Sequence, residues 1–463
     1  MAETRITSNV TGLDKFKMVG SIFSTALKVL RDPGNVAIRR RKGLNINDDL
    51  FNFVKLSFLE YTVLRFRRMV RFGDKTILDS TFPPYPSEAF NKRLKNYVNN
   101  LDMTEIPSGI VSISTTNCCP YSCPFCSTNA RRVTKTDLDE ELLKKTITAV
   151  EATGVPMIIL HGGEPMYRYD RFLRLVKHVS PETCLWMFTT GYGVTDDRAR
   201  ELKDNGLFGV WVSLDHFNPE VHNGFRGTPK AFDNACSAVK SFQKAGVYTC
   251  LSLVPPEDLL EPENFKKYYD FAKDLGVAEI RLMEKKPSGR EACRGVLAHS
   301  TVLANLQKEL YADPRYVDHP PISGLSTWLE KDQALGCQCR FEYLFITSTG
   351  DVQPCEVSEV TFGNIKDEPF SEIYNRISGV FEHCSTGCIP MVMYPEIREY
   401  QKNRAQMSYD EKIDNAAKII RGFEQRGSIP GAYRPLWSYY KKRLKLYENR
   451  QSCNGDARSS SRT

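Results

Sequence analysis

Short apolar runs alternate with amphipathic, charged segments between residues 110 and 285. The runs have the length of buried strands, and the segments between them carry apolar residues at the 3.6-residue helical period. The runs are IVSIS (110–114), MIIL (157–160), LWMF (185–188), VWVSL (210–214), TCLSLV (249–254) and IRLM (280–283). The helical segments are 138–152, 169–179, 196–205, 230–245 and 263–275.

This alternation predicts parallel strands joined by crossover helices. Six strands over about 175 residues are too few for a complete eight-stranded barrel, which needs about 250 residues. We therefore expect an α/β fold built on a partial (β/α)6 TIM-like barrel. In such barrels the functional residues lie at the carboxyl ends of the strands.

The first hundred residues contain two amphipathic stretches, 18–30 and 51–72, and arginines between residues 65 and 71 interrupt the second one. An apolar face edged with arginine suits a helix that lies in a membrane surface, and it equally suits a helix packed on the protein core. No stretch reaches the roughly 20 apolar residues of a transmembrane helix. We expect residues 1–104 to form a basic, amphipathic, helical region.

Charge is unevenly distributed along the 463 residues, whose formal net charge is +7. Residues 1–100 carry 18 Lys and Arg against 9 Asp and Glu, and residues 391–463 carry 15 against 8. The middle of the chain is therefore acidic. The tail, 391–463, is predicted to form basic helices before a disordered end. No RNA-binding signature accompanies the basic ends, so we expect no nucleic-acid partner.

The start of the chain, MAETRITSNV, lacks the basic and apolar segments of a secretory signal peptide. We therefore expect a cytoplasmic protein, with peripheral contact to the inner face of the membrane if the amphipathic stretches are interfacial. In a reducing compartment, cysteines ligate metals more often than they form disulfides. Nine of the 14 cysteines of this chain lie in two groups, which favours metal ligation.

The first cysteine group lies in CPYSCPFC, where Cys119, Cys123 and Cys126 follow the first apolar run at C-x3-C-x2-C spacing. Thiolates at such spacings hold cubane iron–sulfur clusters. Three ligands for four irons leave one iron open to bind a small molecule. A zinc site with a fourth ligand from elsewhere, or unligated structural thiols, are the alternatives. Cys118 fits the spacing less well and is expected not to be a ligand.

This motif, with Phe125 before its last cysteine, resembles the radical S-adenosylmethionine (radical SAM) superfamily. The resemblance implies a [4Fe-4S] cluster whose open iron chelates S-adenosylmethionine. It also implies that further cofactor contacts follow the second and fourth strands. The corresponding residues here are Phe125, Gly162, Gly163, Glu164, Pro165, Ser213 and Arg226.

The GGEP segment of the family meets the amino group of the cofactor, and the Ser/Arg pair would hold its carboxylate, since a guanidinium pairs bidentately with a carboxylate. A surface arginine and a polar residue lining the barrel are the alternatives for Arg226 and Ser213. The family often has Thr-Asn-Gly after the third strand, whereas this chain has Thr189, Thr190 and Gly191. Asp215 receives no role. The Pro-Ser-Gly-Arg segment at 287–290 resembles a turn of several subfamilies, and a plain loop explains it equally well.

A second cysteine group follows the barrel. The spacing from Cys339 through Gly350 to Cys355 predicts a hairpin and resembles the SPASM/twitch extension of radical SAM enzymes, which binds an auxiliary [4Fe-4S] cluster. Cys337 competes with Cys339 for the first ligand position, and Cys384 and Cys388 complete the set. The later C-x2-C-x5-C-x3-C array of that extension is absent, so we expect one auxiliary cluster. A structural zinc is the alternative.

The expected organisation is a helical region (1–104), a radical SAM partial barrel (105–300), a SPASM/twitch-like region (301–390) and the basic tail (391–463). The resemblance implies reductive cleavage of S-adenosylmethionine to a 5′-deoxyadenosyl radical, which abstracts hydrogen from a substrate C–H bond. An electron donor such as a ferredoxin or flavodoxin would supply the electron.

The amphipathic N-terminal stretches favour a lipid or another hydrophobic substrate at the membrane surface. The first alternative is maturation of a peptide or protein, or synthesis of a cofactor. The second alternative is a non-enzymatic iron–sulfur electron-transfer protein.

Overall fold

The computed structural model describes residues 7–10, 12–41, 68–99, 107–292, 300–324, 336, 337, 339, 340, 342–382 and 385–429. The strands are β1 (Thr7–Val10), β2 (Met69–Phe72), β3 (Lys75–Ile77), β4 (Ile110–Thr116), β5 (Met157–Gly162), β6 (Cys184–Thr189), β7 (Leu207–Ser213), β8 (Tyr248–Leu253), β9 (Ile280–Leu282), β10 (Ile322–Ser323), β11 (Tyr343–Ile346) and β12 (Val352–Gln353).

The helices are α1 (Gly12–Arg31), α2 (Pro33–Arg41), α3 (Glu88–Asn99), α4 (Glu140–Ala152), α5 (Tyr169–Val176), α6 (Asp196–Asp204), α7 (Pro219–Arg226), α8 (Ala231–Lys244), α9 (Pro262–Asp274), α10 (Ser300–Ala312), α11 (Phe370–Val380), α12 (Ile389–Val392), α13 (Tyr394–Asn403) and α14 (Tyr409–Arg426). Among them no helix is both long and apolar enough to cross a bilayer.

A nine-stranded sheet forms the centre, in the order β10-β9-β8-β7-β6-β5-β4-β11-β12. Neighbouring strands from β10 to β11 are parallel, and only β12 runs antiparallel to its neighbour. The six strands predicted from the apolar runs are β4 to β9, so the partial barrel is confirmed. β10 and β11 extend the sheet on both sides of these six strands. Both lie after residue 300, where the barrel was predicted to end.

The crossover helices pack one face on this sheet. In α4 the buried residues Leu143, Ile147 and Val150 recur at helical spacing. The helix begins where the Asp139 carboxylate accepts a hydrogen bond from the Leu142 amide, at 2.8 Å, which satisfies a free amide of the first turn. All five predicted crossover helices are present within a few residues of their expected bounds. The additional helix α7 lies in the loop after β7 and carries Arg226 at its end.

The lower interior of the barrel is filled by side chains from alternate strand positions. Trp186 and Trp211 stack with ring centroids 4.1 Å apart, and Phe188 stacks on Trp211 at 4.5 Å. The Arg281 guanidinium lies 4.7 Å from the Trp211 ring centroid. This aromatic layer fills the barrel interior below the carboxyl ends of the strands.

The N-terminal region is not wholly helical, although the sequence predicted a helical region there. β1, β2 and β3 form an antiparallel sheet. The predicted helix 51–72 ends in strand β2, and residues 51–67 lie outside the described residues. Val70 is buried against the amino ends of the barrel strands, and Phe72 packs edge-on against Tyr248 at 5.2 Å. These contacts with the open base of the barrel explain why an extended segment replaces the end of the helix.

The C-terminal helices also belong to the core. Ile397 and Tyr400 of α13 and Ile420 and Phe423 of α14 are buried in the main hydrophobic cluster. The prediction of helices after residue 391 is therefore confirmed as far as residue 426. Residues 430–463, which include the end predicted to be disordered, lie outside the described residues.

Glu279, just before β9, holds the N-terminal region to the barrel base. Its buried carboxylate accepts hydrogen bonds from the Ser80 amide, at 3.1 Å, and from the Ser323 hydroxyl. Burial, followed by the nearby Asp79 carboxylate, raises the pKa of Glu279 to about 7. The folded protein therefore keeps this proton up to a pH at which the unfolded chain has lost it.

Glu279 should make the protein less stable as pH rises from about 4.5 to 7, by at most about 1.4 kcal/mol per pH unit, because the folded state binds more protons in that window. Urea unfolding of the wild type and of Glu279→Gln, between pH 5 and 8, measures this effect. The free energy of unfolding of the variant should depend less on pH. Equal slopes for the two proteins would contradict the assignment.

Candidate active site

A cavity of about 190 Å³ opens at the carboxyl ends of the barrel strands. Its wall contains residues from the loop after β4, from the ends of β5 to β9 and from the segment that follows Cys355. The lining residues used below are Cys119, Cys123, Phe125, Cys126, Ser127, His161, Gly162, Gly163, Ser213, Arg226, Ser252, Met283, Lys285, Ser288, Arg290, Glu356 and Val357.

The three cysteines of the first group face this cavity together. Their loop is fixed to the barrel because the Asn117 amide donates to Asp137 at 2.8 Å and the Cys119 amide donates to the Arg131 carbonyl at 2.7 Å. Burial, followed by the Glu164 charge, raises the pKa of Cys119 to about 12. Ligation must therefore supply the free energy that deprotonates this thiol.

Cys118 differs from its three neighbours in the loop. It does not line the cavity, and its sulfur accepts a hydrogen bond from Arg168 Nη2 at 3.3 Å. Among the described residues, no three His, Cys, Asp or Glu side chains are close enough to share one metal ion. A cubane cluster does not require such closeness, since each thiolate binds a different iron. Three thiols that face one cavity, with no fourth cysteine among its lining residues, fit a cluster with an open iron.

Gly162 and Gly163 line the cavity because they pack directly on the cysteine loop. A Cβ at Gly162 would lie 2.2 Å from the Thr116 carbonyl oxygen, and one at Gly163 would lie 2.4 Å from that of Cys118. Only glycine allows so close an approach of the two backbones. The two residues therefore set the position of the cysteines as well as the shape of the cavity.

Glu164 does not line the cavity. The family resemblance, in contrast, implies that this residue contacts the cofactor. Its buried carboxylate accepts hydrogen bonds from the Thr189 hydroxyl at 2.8 Å and from the Thr190 amide and hydroxyl at 2.7 and 2.6 Å. Pro165 likewise does not line the cavity and begins a short 3-10 helix. Glu164 thus joins the ends of β5 and β6, and the Thr190 hydroxyl is one of its hydrogen-bond donors.

Arg226 and Ser213 both line the cavity, but the arginine already has a carboxylate partner. Its Nε and Nη2 donate to the two oxygens of Asp215, the second at 2.9 Å, and Asp215 has no exposed surface. The Val254 amide also donates to Asp215, at 2.9 Å. A cofactor carboxylate would therefore share the guanidinium with Asp215, to which the sequence had given no role.

The Phe125 ring lies between two partners. It stacks on Phe225 with centroids 4.1 Å apart, and the Arg226 guanidinium lies 5.1 Å from its centroid. The Lys285 ammonium lies 5.1 Å from the centroid of the Phe225 ring. Aromatic and cationic groups thus form one side of the cavity.

The inner part of the cavity contains residues that the sequence analysis did not select: His161, Ser252, Met283 and Glu356. His161 is buried, its Nε2 has no hydrogen-bond partner among the described residues, and burial lowers its pKa, so the imidazole is neutral. Glu356 follows Cys355 and accepts a hydrogen bond from Ser127 at 3.2 Å. The alternation of inward positions along β5 and β8 was the available signal for His161 and Ser252.

The second cysteine group converges around Cys339. Hydrogen bonds with the thiols of Cys337 and Cys355, followed by burial, raise the pKa of Cys339. The structure therefore brings both Cys337 and Cys355 to Cys339. The Cys337 amide donates to the Ser385 carbonyl at 2.8 Å, which places the segment with buried Cys388 beside them. Cys384 lies outside the described residues.

The expected hairpin between these cysteines is present as β11 and β12. Gly350 makes its turn with φ of +98°, and a Cβ there would lie 2.4 Å from Asn364 Oδ1. The segment after the hairpin brings Glu356 and Val357, next to Cys355, into the cavity wall, where Glu356 contacts Ser127. The second cysteine group is therefore connected to the cavity through these two residues.

Comparison with known proteins agrees with this geometry. Residues 113–272 match the model of the radical SAM superfamily, and residues 337–378 match that of the SPASM iron–sulfur cluster-binding domain. An AdoMet-dependent heme synthase of Oleidesulfovibrio alaskensis is 25% identical over 358 residues, which cover 72% of this chain and 88% of that protein. A PqqA peptide cyclase of Streptomyces rochei is 25% identical over 58% of this chain and 75% of the cyclase.

The crystal structure of Streptococcus suis SuiB bound to its precursor peptide SuiA shares the fold, with a TM-score of 0.51 at 14% identity over 62% of this chain and 69% of SuiB. The two domain matches contain the two cysteine groups. The chain therefore has a radical SAM domain followed by a SPASM domain, and these domains imply an enzyme with S-adenosylmethionine, a [4Fe-4S] cluster and an auxiliary iron–sulfur cluster as cofactors.

Proposed function

We propose that this enzyme abstracts hydrogen from a C–H bond of a peptide, or of a cofactor precursor, during its maturation. The observation that carries the proposal is a cavity lined both by the first cysteine group and by Glu356 and Val357, which directly follow Cys355 of the second group. A substrate in this space would be next to the bound cofactor and next to the auxiliary site at once.

The relatives support these two substrate classes. The heme synthase matches over 72% of the chain, and the peptide cyclase matches over 58%. The sequence had favoured a lipid at the membrane surface, and no relative supports that substrate. It had also disfavoured peptides because the N-terminal region was expected to lack strands. The sheet of β1 to β3 removes that objection.

Bound S-adenosylmethionine supplies a 5′-deoxyadenosyl radical after one-electron reduction. The residues of this chain bind and orient the reactants and exclude water. Cys119, Cys123 and Cys126 would hold the cluster, and Phe125 and Arg226 would form the side of the cofactor site. The neutral imidazole of His161 lies in the inner cavity, and its Nε2 can donate or accept one hydrogen bond with a substrate according to its tautomer.

The function is tested by measuring 5′-deoxyadenosine after anaerobic reconstitution with iron and sulfide, S-adenosylmethionine and dithionite. Parallel samples receive a small-molecule and peptide extract of the source cells, the same extract after protease digestion, or a lipid extract. Peptide maturation predicts stimulation by the first extract that digestion removes. A cofactor precursor predicts stimulation that survives digestion. Stimulation by the lipid extract alone would overturn the proposal, as would a lack of 5′-deoxyadenosine in every sample with clusters verified.

A further inference from the structure

The turn Ser288–Arg290 packs on the cysteine loop more closely than a plain loop would. A Cβ at Gly289, whose φ is +55°, would lie 2.2 Å from the Cys126 carbonyl oxygen and 2.3 Å from that of Ser127. The Arg290 amide donates to the Cys126 carbonyl at 3.0 Å. Glycine is required here both by its conformation and by the space available.

The Arg290 side chain spans the cysteine loop. Its Nη1 donates to the Cys123 carbonyl at 2.6 Å, and its Nη2 donates to the Ala130 carbonyl. With the backbone bond to Cys126, one residue thus holds three carbonyl groups of the loop. A planar guanidinium can bond two such acceptors at once, which an ammonium cannot do in the same geometry.

The other side of the turn is tied to the SPASM region. The Gly289 amide donates to Glu359 Oε1 at 2.9 Å, and Glu359 is paired with Arg398 of α13. The turn is therefore held from both domains, and the guanidinium stays at the cysteine loop.

The charge of Arg290 is placed where it acts on a cluster. Reduction adds one negative charge to an iron–sulfur cluster, and a fixed positive charge nearby stabilises the reduced form. Hydrogen bonds to the ligand sulfurs act in the same direction. The Tyr121 amide donates to Cys119 Sγ at 3.4 Å, and the Ala130 amide donates to Cys126 Sγ at 3.3 Å. Arg290 binds the carbonyl of the same residue, Ala130, whose amide donates to the Cys126 sulfur.

We propose that Arg290 is a positioning residue that holds the cysteine loop and raises, through its positive charge, the reduction potential of the cluster bound there. Its effect requires no substrate. The inference therefore does not depend on the proposed peptide or cofactor precursor, and failure of one leaves the other standing.

The test is an anaerobic redox titration followed by electron paramagnetic resonance on reconstituted wild type, Arg290→Gln and Arg290→Lys. Only the signal that changes on addition of S-adenosylmethionine is evaluated, because this change marks the cluster with an open iron. The midpoint potential of Arg290→Gln should be more negative than that of the wild type. Arg290→Lys keeps the charge and should keep the wild-type midpoint.

Arg315→Gln is the control for loss of a surface arginine, because Arg315 is exposed within the 3-10 helix Pro314–Tyr316 and pairs with Asp313. Its midpoint should equal that of the wild type. An unchanged midpoint in Arg290→Gln would overturn the proposal, as would an equal shift in Arg290→Lys, since loop geometry and not charge would then set the potential. If Arg290→Gln binds no iron, Arg290→Met, which also lacks the charge, takes its place, and the same outcomes apply.

Discussion

Cys126→Ser should lower the formation of 5′-deoxyadenosine by at least about a hundredfold, because two thiolates cannot hold the cluster that cleaves the cofactor. Cys126 faces the cavity together with Cys119 and Cys123. The change replaces sulfur by a hydroxyl of nearly the same shape, so the fold should persist. Iron and sulfide content, with 5′-deoxyadenosine after dithionite reduction, are the measurements.

Cys118→Ser is the matched control for this experiment. Cys118 is buried in the same loop, but its sulfur contacts Arg168, and a serine hydroxyl can accept the same hydrogen bond. This variant should retain iron and activity. Equal loss in both variants would show that the loop tolerates no substitution, and full activity of Cys126→Ser would contradict its role as a ligand.

Asp215→Asn should lower the free energy of unfolding by about 3 kcal/mol, because it leaves the buried Arg226 guanidinium without a counter-charge. Asp215 is fully buried, and it binds Arg226 through both carboxylate oxygens. Burial alone would lower the pKa of Arg226, and the Asp215 carboxylate raises it above its ordinary value. Arg226 therefore stays charged, and in Asp215→Asn the burial of this unpaired charge lowers the free energy of unfolding.

Urea unfolding of the cluster-free protein at pH 7 measures this loss. Asp313→Asn is the control, because it breaks an exposed pair with Arg315, and solvent screens such a pair. The control should leave the unfolding midpoint unchanged. A loss below about 1 kcal/mol in Asp215→Asn would show that the pair contributes no more than a surface ion pair.

Much of the barrel could be predicted because strand and helix periods are local properties of the chain. Apolar runs marked β4 to β9, and the C-x3-C-x2-C spacing marked the cysteine loop. The pairing at the two ends of the sheet was not visible in this way. β10 has only two residues and is defined by its pairing with β9, and β11 was expected as one strand of a hairpin but not as the neighbour of β4.

The N-terminal region shows why amphipathic spacing can mislead. Residues 69–72 fit a helical stripe, yet they form β2. In this extended segment Val70 and Phe72 pack against the amino ends of the barrel strands. Tertiary contacts with distant strands override local propensity in such short segments.

For this protein, the sequence by itself determined the cluster-binding motif, the order of the barrel elements and the hairpin of the second cysteine group. Each of these depends on residues that are close together in the chain. The tertiary structure alone decided that Glu164 faces Thr189 and Thr190, that Arg226 is paired with Asp215, and that Arg290 spans the cysteine loop. These contacts join residues separated by long stretches of chain or by a loop whose path the pattern does not reveal, so only the folded backbone brings them together.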